Sequence, residues 1–85
     1  MSDLPSAVAG LEVNQVKDGL VVYDAGRDRI HYLNATAAAV FTLCDGARYR
    51  QGIVDAVAIV FGPNAVSPGE VDACITQLED EGLVR

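Results

Sequence analysis

The sequence is poor in the residues that most catalytic, metal-binding and nucleic-acid-binding sites require. It contains one histidine, two cysteines and no tryptophan, and its six basic residues are outnumbered by twelve acidic ones, for a net charge of −6. This balance argues against binding to DNA, whose phosphates require a basic face. A single histidine without a C-x-x-C pair argues against a metal site, and we expect no cofactor.

Long hydrophobic runs are also missing. The longest run spans residues 56–61, far short of the roughly 20 residues of a membrane-spanning helix. The N-terminus has neither the basic nor the apolar region of a signal peptide, so we expect a cytoplasmic protein without membrane contact. The 85 residues suit one small domain, and a hydrophobic content of 51% excludes intrinsic disorder.

The two cysteines, Cys44 and Cys74, both fall within apolar helical patterns. In a cytoplasmic chain this favours two free thiols that serve as small buried hydrophobes, with a disulfide as the less favoured alternative. Burial raises the pKa of a thiol and makes it inert. Nucleophilic catalysis by either cysteine with His31 is therefore disfavoured, and we predict no enzymatic activity.

The first part of the chain has the patterns of a β-sheet. Alternating apolar and polar residues, or β-branched and aromatic residues, predict three strands, over residues 11–16, 20–23 and 29–33. Lys17-Asp18-Gly19 predicts a hairpin turn in which Asp18 and Gly19 adopt positive φ. We expect residues 1–10 to form a loosely ordered lead-in and residues 11–85 to form the domain.

Along the third strand, side chains should alternate between the two faces of the sheet. Ile30 and Tyr32 should then lie on one face, and Arg29, His31 and Leu33 on the other.

The second part of the chain predicts three helices with recognisable ends. Asn34 and Ser67 suit N-cap positions, and Ser67 with Glu70 matches a capping box. Gly46 and Gly82 are expected in the left-handed region after a helix, and Gly62-Pro63 should end the second helix. The expected inward-facing residues are Ala37, Val40, Phe41 and Cys44 in the first helix, Ile53, Val54, Val57, Val60 and Phe61 in the second, and Val71, Ile75 and Leu78 in the third.

The predicted order of elements is β-β-β-α-α-α. A chain of this size should pack them as one α+β domain, with a three-stranded antiparallel meander against the helices.

Several sequence blocks resemble the PqqD-like family of peptide-binding domains. They are Gly19-Leu20-Val21-Val22-Tyr23-Asp24, Ile30-His31-Tyr32-Leu33-Asn34, Ala37-Ala38-Ala39-Val40, Leu43-Cys44-Asp45-Gly46, Ile53-Val54, and the stretch from Val71 to Val84. The resemblance covers roughly residues 12–84. Ala35 stands where proline often follows the asparagine in this family, and Tyr49 and Gly52 replace a small polar residue and an acidic one.

The resemblance implies a winged helix-turn-helix-like fold and a non-enzymatic role. Members of the family bind the leader segment of a ribosomally made precursor peptide and present it to a modifying enzyme, often a radical SAM enzyme. The leader adds as an extra strand to the third strand and packs against the third helix. The site residues implied here are Asp28, Arg29, Ile30, His31, Tyr32, Leu33, Val71, Cys74, Gln77, Leu78 and Glu81.

The residues themselves supply a mechanism for such binding. The third strand of a meander is an edge strand, whose unpaired N–H and C=O groups can pair with an extended peptide. We expect hydrophobic leader side chains to contact Cys74 and Leu78, and polar or basic ones to meet Gln77 and Glu81.

Other interpretations stay open at this point. A winged-helix transcription regulator would need a basic third helix, whereas residues 67–82 contain no lysine or arginine. His31 is either a contact in the groove or an exposed strand residue without a role. The edge strand could also pair with a second copy of the chain to form a homodimer.

Overall fold

The computed structural model of the protein describes residues 4–62 and 64–85. Its elements follow the predicted order: β1 (Leu11–Val16), β2 (Gly19–Asp24), β3 (Arg29–Asn34), α1 (Ala35–Leu43), α2 (Arg50–Phe61) and α3 (Pro68–Asp80). The α+β, winged helix-turn-helix-like class is therefore confirmed. Of the expected features, residues 1–3 of the lead-in and Pro63 lie outside the described residues.

The three strands form one antiparallel sheet in the order β1-β2-β3. Val22 of β2 pairs with His31 of β3, and Leu20 pairs with Leu33. Val22 and Leu33 are buried on the face that meets the helices, whereas Ile30 and Tyr32 are exposed on the other face. The predicted alternation along β3 is confirmed.

The first hairpin differs from the expected turn. Val16 pairs with Gly19, so only Lys17 and Asp18 connect β1 to β2, and neither Asp18 nor Gly19 has positive φ. Gly19 is instead required by a close approach, because a Cβ atom there would clash with the carbonyl oxygen of Leu33 in β3. The sequence pattern correctly located the turn but assigned the wrong role to the glycine.

The helix ends agree with the expected capping residues. The Asn34 side chain accepts a hydrogen bond from the Ala37 N–H at 2.9 Å, and the Ser67 hydroxyl accepts one from the Glu70 N–H at 3.2 Å. Gly46 and Gly82 both have φ of 77°. After α3, the Leu83 N–H donates to the Leu78 carbonyl at 3.0 Å, as in a Schellman motif.

One core lies between the inner face of the sheet and the helices. Its buried members are Val22, Leu33, Val40, Phe41, Cys44, Ile53, Val54, Val57, Val66, Val71, Ile75, Leu78, Leu83 and Val84. Val60, expected to face inward, is 66% exposed. It lies in the last turn of α2, at the edge of the arc that Ile53 and Val57 define, so the helical rotation turns it toward solvent.

The segment before β1 makes regular contacts, although we expected it to be loosely ordered. Ser6 and Arg85 exchange two backbone hydrogen bonds of 2.9 Å, and the Ala7 N–H donates to the Cys44 carbonyl at 2.9 Å. Pro5 is buried. Residues 5–8 thus connect the end of α1 to the last residues of the chain.

Gly19→Ala should lower the free energy of unfolding by about 1–3 kcal/mol, because the new methyl group overpacks against the backbone of β3. Gly69→Ala is the matched control. It adds the same methyl group in α3 with no atom within 4 Å, and it should be neutral or stabilising by up to about 1 kcal/mol. Urea denaturation measures both changes, and equal stability of the two variants would contradict the role assigned to Gly19.

Candidate functional site

A groove with a volume of about 520 Å³ lies between β3 and α3. Its lining comes from the end of β3, the start of α1 and one flank of α3, and comprises Tyr32, Leu33, Asn34, Thr36, Ala37, Glu70, Ala73, Cys74, Gln77, Leu78 and Glu81. The α3 residues are three or four positions apart, as expected for one side of a helix.

Helix α3 stands apart from β3 along the groove. Within the described part of the chain, no Cα atom of α3 lies within 8 Å of a Cα atom of β3. A hydrogen-bonded neighbouring strand lies about 4.8 Å from its partner, so α3 does not occupy the position that such a strand would take beside β3. Other contacts hold α3 in place, since it packs against α1 and α2.

Strand β3 has a sheet neighbour on one side only, which is β2. In an antiparallel sheet, the N–H and C=O groups of every second residue point away from that neighbour. The free side of β3 borders the groove, because Tyr32, Leu33 and Asn34 contribute to its lining. Hydrogen-bonding groups and an open groove therefore lie side by side.

At one end of the groove, Glu81 makes several contacts. His31 Nδ1 lies 2.7 Å from Glu81 Oε2, and Gln77 Nε2 donates to Glu81 Oε1 at 3.1 Å. Arg27, in the turn between β2 and β3, donates to the Glu81 carbonyl oxygen at 3.4 Å. These contacts join the start of β3 to the end of α3.

The contact with Glu81 engages only one of the two nitrogen atoms of the His31 imidazole. Its Nε2 atom is buried without a hydrogen-bond partner among residues 4–62 and 64–85. The alternative of an exposed strand residue without a role is wrong, because the His31 side chain is mostly buried and bridges β3 and the end of α3. A contact between His31 and a bound peptide stays a prediction.

The wall formed by α3 is anchored on its far side by Arg50 of α2. The Arg50 guanidinium donates to Asp72 Oδ1 at 2.9 Å, to Thr76 Oγ1 at 2.9 Å and to Glu79 Oε1 at 2.9 Å. A planar guanidinium holds several acceptors in a fixed arrangement. These contacts position α3 from the side opposite to the groove.

Both thiols are free. Burial raises the pKa of the Cys44 thiol to about 11. Burial, followed by the nearby charge of Glu81, raises the pKa of the Cys74 thiol. Cys74 therefore lines the groove as a protonated, weakly polar group rather than as a nucleophile.

Only some of the expected site residues line the groove. Tyr32, Leu33, Cys74, Gln77, Leu78 and Glu81 line the groove. Val71 is 1% exposed and faces the core, and Ile30 is 72% exposed on the outer face of the sheet. Asp28, in the turn before β3 with φ of 52°, accepts a hydrogen bond from the Tyr23 hydroxyl at 3.1 Å, and Arg29 begins β3.

Five lining residues were not expected from the sequence: Asn34, Thr36, Ala37, Glu70 and Ala73. Glu70 and Ala73 continue the flank of Cys74, Gln77 and Glu81 toward the start of α3, so the helical spacing could have identified them. Thr36 and Ala37 reach the groove only because α1 packs beside β3, which local patterns do not encode.

Neither a metal site nor a membrane-spanning helix is present in the described part of the chain. The described residues contain no group of three or more histidine, cysteine or acidic residues placed to hold a metal ion. No helix in the described ranges is long and apolar enough to cross a membrane.

The fold and the groove define a small α+β domain with an open strand edge beside a helix. The model of the family described as coenzyme PQQ synthesis protein D (PqqD) matches residues 19–84. The chain therefore belongs to the PqqD family, as the sequence blocks indicated. None of the curated proteins compared with the chain matches it significantly.

A solved structure has the same fold. It is that of TbiB1 in complex with the TbiA(beta) leader peptide, with a TM-score of 0.74 over 94% of this chain and 94% of that chain. The two sequences are 15% identical, so the similarity is one of fold.

A double-mutant cycle should detect the bridge between β3 and α3. His31→Ala and Glu81→Ala should show a coupling of about 0.5–1.5 kcal/mol in urea denaturation, because each variant removes the same partly buried hydrogen bond. His31→Ala with Asp80→Ala is the control cycle, since Asp80 is exposed. Additive effects in the His31–Glu81 cycle would contradict the bridge.

Proposed function

We propose that the protein is a non-enzymatic peptide-binding chaperone. It captures the leader of a ribosomally made precursor peptide by strand addition to β3 and presents the peptide to a modifying enzyme. The observation that carries the proposal is the unpaired edge of β3 beside an open groove, in a chain of the PqqD family.

Strand addition suits the position of the groove beside the free edge of β3. A peptide paired with β3 would gain backbone hydrogen bonds along one side, and every second side chain would enter the groove. There it would meet an apolar floor formed by Leu33, Cys74 and Leu78. Backbone pairing supplies affinity that is independent of sequence, and the groove supplies selectivity.

The likeness to TbiB1 supports the binding of a leader peptide. That protein was solved with a leader peptide, and it shares its fold with nearly the whole of this chain. Membership of the PqqD family supports a partnership with a modifying enzyme. We propose a radical SAM enzyme or another maturase in this role, in the cytoplasm.

A role without catalysis agrees with the chemistry of the groove. The raised thiol pKa of Cys74 disfavours the nucleophilic thiolate, and the Nδ1 atom of His31 is engaged by Glu81. DNA binding has no supporting observation, because α3 contains no lysine or arginine. A homodimer through β3 would use the same edge and would compete with the peptide.

Binding can be tested by fluorescence anisotropy with labelled leader peptides from the short open reading frames beside the gene. We expect saturable binding to one leader and none to duplex DNA. Single N-methylation along the bound leader should weaken binding at alternate positions, because only every second amide donates to β3. Binding to DNA alone would contradict the proposal, and uniform tolerance of N-methylation would exclude strand addition.

Cys74 provides a second readout in the unmodified protein. At alkaline pH, where part of the Cys74 thiol ionises despite its raised pKa, saturating leader peptide should slow the alkylation of Cys74 by iodoacetamide, because the peptide covers the groove wall. Cys44 is the internal control, since it is 2% exposed and lies away from the groove lining. Peptide mapping by mass spectrometry measures both sites, and unchanged alkylation of Cys74 in the complex would place the peptide elsewhere.

A further inference from the structure

The two ends of the groove differ in whether their carboxylates have hydrogen-bond partners within the protein. At one end, both carboxylate oxygens of Glu81 are engaged, by His31 and by Gln77. At the other end, the Glu70 carboxylate makes no ion pair or hydrogen bond with any described residue; only the Glu70 backbone N–H does so, within the N-cap of α3. The lining includes no lysine or arginine.

Glu70 lies in the first turn of α3, and this position partly explains why an acidic residue occurs there. An acidic residue there interacts favourably with the helix dipole, and it is a common feature of capping boxes. The reciprocal bond of the box, from the Ser67 N–H to the Glu70 carboxylate, does not form in the described structure. The carboxylate therefore remains available at the rim of the groove.

A bound peptide would remove water from this carboxylate. Covering a charge without supplying a partner is unfavourable, so a peptide with a basic side chain at this point has an advantage over a neutral one. The net charge of −6 for the whole chain also favours the approach of a basic peptide.

The spacing along α3 specifies where the basic side chain would lie. Glu70, Cys74 and Leu78 are four residues apart, which corresponds to about 6 Å per step along a helix. Two residues of an extended strand cover about 6.6 Å. Side chains at every second position of the peptide would therefore face Glu70, Cys74 and Leu78 in turn.

The direction of the peptide follows from the position of β3 relative to α3. His31 contacts Glu81, so the beginning of β3 lies beside the end of α3, and β3 runs from there toward Glu70. All strand pairs in the sheet are antiparallel, and antiparallel pairs are the more common kind. A peptide antiparallel to β3 would enter at Glu70 and run toward Glu81.

We infer that the recognised peptide segment contains a lysine or arginine followed by apolar residues at the second and fourth positions after it, and that Glu70 selects the basic residue. The inference rests on the proposed function. It narrows the ligand from an extended peptide to one class of sequence, basic-x-apolar-x-apolar, and it assigns a specificity role to a residue outside the expected site.

The test is a bacterial display library of random decapeptides, sorted on the fluorescently labelled full chain. Three proteins are compared: the unmodified chain, Glu70→Gln, and Asp80→Asn. Asp80→Asn removes the same charge from the same helix at an exposed position outside the groove lining, so it controls for net charge.

The unmodified chain and Asp80→Asn should enrich the basic-x-apolar-x-apolar pattern. Glu70→Gln should enrich the apolar positions without the basic one, and Glu70→Lys should favour an acidic residue in its place. Enriched peptides without a basic residue, or an unchanged basic preference in Glu70→Gln, would overturn the inference and leave the proposed function intact. Failure of the unmodified chain to enrich any peptide would overturn both.

A consensus decapeptide from the sort can be used to measure how much the contact with Glu70 contributes to binding. Replacing its basic residue by norleucine should weaken binding to the unmodified chain by about two- to five-fold, as expected for a partly exposed ion pair. The same replacement should leave binding to Glu70→Gln unchanged. The difference should shrink at high salt, and a loss that is equal for both proteins would contradict a contact with Glu70.

Discussion

Strand β3 carries backbone hydrogen-bonding groups that no other strand of the described protein pairs, and the arrangement of the helices keeps that edge accessible. An unpaired edge invites uncontrolled association, and proteins usually cover or charge it. Here α3 runs beside the edge at a distance that excludes direct pairing, and an open groove lies between the two elements. The groove thus restricts which chains can reach β3, because a partner must fit between a strand and a helix.

The groove depends on contacts that hold α3 in place beside β3. On one side, Arg50 of α2 binds acceptors on three α3 residues, and the apolar face of α3 packs into the core through Val71, Ile75 and Leu78. At its end, Glu81 connects to His31 and to the turn that contains Arg27. A wall fixed in this way does not have to form when the peptide arrives, which limits the entropy lost on binding.

The sequence predicted the elements well because their signals are local. Asn34, Ser67 and Gly82 mark helix ends through bonds to residues within one turn, and the Cys74–Gln77–Glu81 spacing located one wall of the groove. The parts that it missed depend on residues far apart in the chain. Gly19 is required by the Leu33 carbonyl in another strand, His31 is engaged by a residue 50 positions away, and residues 5–8 bond to the last residues of the chain.

A bound peptide should add to the β3 edge and not elsewhere on the sheet. Amide hydrogen exchange measured by NMR, with and without the leader peptide, tests this mode of binding. We expect new protection at every second amide of β3 (Arg29–Asn34), and none along β1 (Leu11–Val16), which is the opposite edge of the same sheet. Protection along β1, or binding that leaves the β3 amides unchanged, would contradict it.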